Sequence, residues 1–110
     1  MIDTMVTDRE RVLVRMEIIA DGLELDDVYV LRGTEDCTTC SLAAIPEGIE
    51  RYAFWHEQDT DRFEKGYGVW RYAHIQEIAD RIVDLAKVLG MFVDWDGDMD
   101  KVITLKLRED

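Results

Sequence analysis

Apolar residues recur at steps of three and four in two long stretches of the chain. Val12, Leu13, Met16, Ile19, Ala20 and Leu23 form the first, with Arg9, Arg11, Arg15, Glu17 and Asp21 falling on the opposite side. Ile75, Ile78, Ala79, Ile82, Leu85, Ala86 and Leu89 form the second. A stripe of this period lets a helix bury one side and wet the other, so two long amphipathic helices are predicted. Thr7-Asp8-Arg9-Glu10 has the spacing of a capping box and starts the first; Gly22 is expected to stop it, and Gly90 to close the second.

Between and after these stretches the period shortens to two. The run 28–31, Val-Tyr-Val-Leu, is rich in β-formers and ends at Gly33. Residues 51–57 alternate Tyr52, Phe54 and His56 against Ala53, Trp55 and Glu57, apolar on both sides, which predicts a strand in the middle of a sheet. Three more strands are expected over 67–73, 91–95 and 102–107, the last two joined as a hairpin across Gly97. Thr34 to Asp36 would cap a short helix carrying Cys37 and Cys40, limited by Pro46 and Gly48. Residues 59–65 would make one or two helical turns closed by Gly66, and residues 1–6 an arm or short edge strand. The order predicts an α+β fold: a mainly antiparallel sheet of about five strands, with the two long helices packed on one face. With 110 residues and 47% apolar content, one globular domain over 1–110 is expected.

Charge changes the list of partners. The chain has 25 acidic against 13 basic side chains, a formal net charge of −12. A field of that sign repels phosphate backbones and anionic lipid, so direct nucleic-acid or membrane binding is not expected, whereas a protein with a basic surface is a natural partner. No run of about 18 apolar residues and no N-terminal apolar leader segment appears. Two cysteines are too few to staple a secreted scaffold. A cytoplasmic setting is therefore expected.

Candidate chemistry concentrates between Cys37 and Trp70. Cys37 and Cys40 form a CxxC, whose two sulfurs share one side of a helix start, where unpaired amides stabilise thiolate. Three readings share that spacing: a redox dithiol, two of four zinc ligands with His56 or His74 supplying more, and small apolar packing residues. The step from Cys40 to His56 and on to His74 fits no common zinc-finger register. Pro46 lies too close to the pair to act as the facing cis-proline of a thioredoxin. His56 and Gln58 fall on one side of the predicted strand, and Asp59-Thr60 reads as a helix cap before it reads as an acid/base pair, although a small hydrolase built on His56 and Asp59 is a third, weaker reading. Asp94, Asp96, Asp98 and Asp100 invite a calcium reading that fails: with Gly97 sixth in the loop, Phe92 would be first and Ile103 twelfth, neither a ligand. They make an acidic turn instead. Trp55, Trp70, Trp95 and Tyr72 are read as core, and no phosphate loop, nucleophile elbow or HExxH is present.

The segments Cys37-Thr38-Thr39-Cys40-Ser41, His56-Glu57-Gln58-Asp59-Thr60, Gly68-Val69-Trp70-Arg71-Tyr72 and Val93-Asp94-Trp95-Asp96-Gly97 with Lys101-Val102-Ile103 together resemble an uncharacterised family of small bacterial domains of unknown function. Its members show CxTC, HxQDT and VxWDG motifs, and the resemblance covers most of 33–107. The chain departs from the pattern at Ala73, where relatives carry glycine, and at Asp36-Cys37, where relatives often carry two adjacent cysteines. The resemblance implies no activity.

Two functional readings follow. The first is a non-catalytic interaction module or inhibitor whose acidic surface binds a basic partner, including one that itself binds nucleic acid. The second is a thiol- or metal-dependent protein using Cys37 and Cys40 with His56, with zinc as the candidate metal.

Overall fold

The computed structural model describes residues 6–109. The arm expected over 1–6 therefore falls, but for Val6, outside the described residues. The elements are α1 (Asp8–Leu25), β1 (Tyr29–Arg32), α2 (Thr38–Ala44), β2 (Tyr52–Trp55), a 3-10 helix (Glu57–Lys65), β3 (Tyr67–Tyr72), α3 (Gln76–Val88), β4 (Phe92–Asp94) and β5 (Ile103–Lys106). The fold is α+β, as the alternation of periods predicts. The five strands form one sheet in the order β1-β2-β3-β5-β4. Every neighbouring pair is antiparallel except β1 and β2, which run parallel with Tyr29 opposite Tyr52 and Arg32 opposite Trp55. Parallel neighbours need a crossover, and the segment carrying α2 supplies it.

The register sorts side chains between the two faces. Ala53 lies opposite Tyr72, and Trp70 opposite Ile103. With Val30, Trp55, Leu105 and Val93 these residues build the face on which α1 and α3 pack. Gly68 belongs to the same face, and a Cβ there would sit 2.7 Å from Met16 Sδ, so the missing side chain lets α1 approach the sheet. Trp55 meets Trp70 edge-on at 5.3 Å between ring centroids, with Phe63 of the 3-10 helix beside it. Trp55, Trp70 and Tyr72 are thus core, as expected, whereas Trp95 is half-buried against its edge.

Three details differ from the sequence pattern. Gly22 does not stop α1: its bare Cα accommodates Leu85 of α3, whose Cδ1 would lie 2.7 Å from an added Cβ, and the helix runs on to Leu25. The left-handed turn falls to Asp27 instead, at φ 63°. Thr7 does cap the helix, its hydroxyl accepting from the Glu10 amide at 3.2 Å. The cap of α2 is Cys37 itself, not Thr34 to Asp36. Finally, β3 and not β2 occupies the middle of the sheet, although β2 is paired on both sides.

Candidate functional site

The parallel pairing of β1 and β2 decides where the CxxC goes. Beyond β1 the chain keeps to the edge of β2: the Gly33 amide donates to the Trp55 carbonyl at 3.0 Å, and the Glu57 amide to the Glu35 carbonyl at 2.8 Å. Two residues later Cys37 opens α2. Its backbone is extended, and its sulfur accepts from the Cys40 amide at 3.4 Å, doing what a serine or aspartate does at a helix start. The Ser41 hydroxyl donates to the Cys37 carbonyl at 2.9 Å and fixes the same turn from behind.

The two sulfurs lie 3.3 Å apart, both as free cysteines, with Cys40 exposed and Cys37 partly so. Their environments push the two thiols in opposite directions. The Cys40 amide, the Cys40 thiol and the Thr39 amide hold Cys37 below the ordinary cysteine value, against partial burial and the Asp36 carboxylate. Cys40 is raised, chiefly because its own S–H is engaged by the Cys37 sulfur and a second negative charge beside a thiolate is unfavourable. One sulfur is thus disposed to be thiolate and the other thiol.

Cys37, His56, Gln58 and Asp59 line one open groove, whose walls also carry Asp61, Arg62, Lys65 and Arg71. His56 and Gln58 do share a wall, though not through strand alternation, because β2 ends at Trp55 and His56 is already the cap position of the 3-10 helix. His56 is buried, with Nδ1 lacking a hydrogen-bond partner. Burial lowers its pKa, opposed by Asp59 and reinforced by Arg71 and Arg62, so the imidazole is held neutral. Asp59 does not open the helix as expected, because the helix already starts at Glu57 with His56 at the cap position; Asp59 sits in its first turn and reaches back, its Oδ2 accepting from the His56 amide at 3.2 Å. Thr60 donates back to the Glu57 carbonyl at 2.5 Å. Asp59 is also buried and forked by Arg71, whose Nε and Nη2 each reach a different carboxylate oxygen at 3.2 Å.

Arg71 is the residue that sequence patterning passes over. A guanidinium between Trp70 and Tyr72 on a buried strand requires a buried acidic partner, and that requirement was the available signal. His74 lies away from this groove, with Nδ1 2.7 Å from the Met99 carbonyl. No group of three or more His, Cys, Asp or Glu side chains among the described residues is arranged to hold a metal ion. The hairpin carboxylates are exposed but engaged. Asp96 accepts from the Asp98 amide and pairs with Lys101, Asp98 accepts from the Asp100 amide, and Asp94 pairs with Lys106. They organise the turn.

An α+β domain with a mixed five-stranded sheet, a dithiol opening a crossover helix and a buried aspartate–arginine fork beside it is the class these features define. Within that class, the chain belongs to the family described as Domain of unknown function (DUF6891), which matches it over residues 6–108. No curated protein and no solved structure matches the chain. Among the described residues no helix is long and apolar enough to cross a membrane.

Proposed function

We propose that the protein carries out thiol–disulfide exchange through Cys37 and Cys40. The observation that carries this reading is the sulfur pair itself: 3.3 Å apart, with the Cys37 sulfur accepting from the Cys40 amide at 3.4 Å. In the exchange the Cys37 thiolate attacks one sulfur of a substrate disulfide, and the other substrate sulfur leaves as thiolate and takes up a proton. Cys40, once deprotonated, then attacks Cys37 Sγ and expels the first substrate sulfur. Two electrons pass from the protein dithiol to the substrate, the protein ends with a Cys37–Cys40 disulfide, and the substrate ends as two thiols; a dithiol reductant reverses the balance. Zinc has less support, because among the described residues no third His, Cys, Asp or Glu is arranged with the two sulfurs to hold a metal ion.

The test is the pH dependence of alkylation in Cys40→Ser together with the redox state of the wild-type protein in glutathione buffers. An alkylation midpoint below the ordinary thiol value of about 8.5, with an intramolecular disulfide forming in the wild-type protein, is expected. A midpoint at or above that value, with no disulfide under oxidising buffer, removes the reading.

A second reading rests on the net charge of −12 and on the exposed carboxylates of the β4–β5 turn: an acidic face docking on a basic protein. Binding of such a partner should weaken steeply between low and physiological salt, and replacing Asp98 and Asp100 by serine should slow association. Binding insensitive to both would rule it out.

A further inference from the structure

The second face of the sheet carries a cavity of about 210 Å³ beside the dithiol helix. Its floor is Tyr52 and Phe54 of β2, with ring centroids 6.4 Å apart and planes 28° from parallel. Leu42 of α2 and Met99 line it on either side of this floor, and His74, Asp100 and Lys101 give it a polar rim. The Met99 side is held in place: the Tyr72 hydroxyl donates to the Lys101 carbonyl at 3.0 Å, and the Met99 carbonyl meets His74. A hollow whose far wall is tied back at two points does not need to be opened by a ligand. An apolar cavity of roughly 150 Å³ is enough to take up a benzene ring, so this one has room for an aromatic side chain.

Its position gives it a role. Thr38 and Arg71 border both this cavity and the groove that Cys37 lines, so the two hollows meet one residue from the nucleophilic sulfur. A small hydrophilic disulfide would leave the cavity unused. A polypeptide whose cysteine is joined to Cys37 has its neighbouring residues within reach of it.

Resting on the thiol-exchange reading, we propose that the substrate is a polypeptide disulfide whose cysteine stands beside an aromatic residue, and that this ring seats on Tyr52 and Phe54 between Leu42 and Met99. Selectivity then comes from the cavity, and exchange from Cys37: the substrate cysteine forms the mixed disulfide while its former partner sulfur leaves as a thiol.

The test compares two peptides of equal charge, each presented as the mixed disulfide with 2-mercaptoethanol, one with Phe and one with Ser next to the cysteine. Oxidised glutathione serves as the small-molecule probe. The Phe peptide should react roughly tenfold faster than the Ser peptide, the scale set by burying one ring. In Leu42→Trp, which fills the cavity from α2, that ratio should fall towards one; Met99→Trp fills it from the opposite wall and guards against one variant failing to fold. Equal rates for the two peptides in the wild-type protein, a ratio unmoved by both fillings, or glutathione disulfide outpacing both peptides overturns the substrate assignment while leaving thiol exchange standing. No reaction with any of the three disulfides removes both.

Discussion

Replacing Asp59 by alanine should cost the fold about 3 kcal/mol. The carboxylate is 1% exposed and makes three hydrogen bonds, one from the His56 amide and two from Arg71, each at 3.2 Å. Removing one partner of a fully buried ion pair costs roughly 3–5 kcal/mol, because the other charge is left without compensation. The Arg71 side chain is 25% exposed, so water recovers part of that, and the ionic share drops to about 2 kcal/mol. Loss of the acceptor for the His56 amide adds about 1 kcal/mol, the usual worth of a helix-start cap. Against the roughly 5–15 kcal/mol that holds a domain together the loss is large, and it should lower the melting temperature by about 12 °C. Urea unfolding is the assay: the midpoint should fall with the m-value unchanged. Asp59→Asn, which keeps an acceptor for the amide, should lose about 2 kcal/mol. A double-mutant cycle with Arg71→Met should show a coupling of at least about 1.5 kcal/mol, because Arg71→Met alone leaves the buried carboxylate only the His56 amide and the more exposed Arg62 guanidinium, 3.8 Å away. A loss below about 1 kcal/mol for Asp59→Ala, or simple additivity in the cycle, would refute the account of a structural fork.

Gly68→Ala should cost about 1–2 kcal/mol, since the new methyl would lie 2.7 Å from Met16 Sδ and 3.2 Å from Val12 Cγ1, both in the fully buried core; thermal denaturation reads it, and a neutral result would mean α1 can lift off the sheet at no cost. Stability should decline as pH falls below about 6.5: burial, with Arg71 and Arg62, lowers the folded His56 pKa, so the unfolded chain takes up the proton first, and the slope, at most about 1.4 kcal/mol per pH unit, flattens below the folded value. That slope should shrink in His56→Gln, and a wild-type slope of the opposite sign in this window would contradict the burial argument. Arg32→Gln should cost about 1 kcal/mol and make stability less sensitive to salt, because Arg32 ties β1 to Glu17, Asp21 and Glu24 of α1 at a half-exposed site; denaturation at low and high salt measures both.

The two long helices, the five strands, the Thr7 cap and the Gly66 and Gly90 turns were legible in the sequence, because each follows from side-chain period or from one residue's backbone freedom. The helix after β2 was legible too, but not its start: it begins at Glu57, two residues before Asp59, because the Asp59 carboxylate reaches back to the His56 amide. Gly22 was misleading for a reason that local pattern does not hold: its use is to receive Leu85, some sixty residues away, and that demand outweighs a glycine's tendency to end a helix.

The candidate site was legible only in pieces. The CxxC spacing alone places two sulfurs on one turn, and composition alone makes the surface acidic. Whether Cys37 would meet His56 depended on which strand pairs with which, and in which direction. Alternating residues 28–31 and 52–55 fit a parallel or an antiparallel neighbour equally well, since strand pattern encodes the buried faces and leaves partner and polarity open. The tertiary structure chose the parallel pairing, ran residues 33–36 along the end of β2, and so made Cys37 line one groove with His56, Asp59 and Arg71.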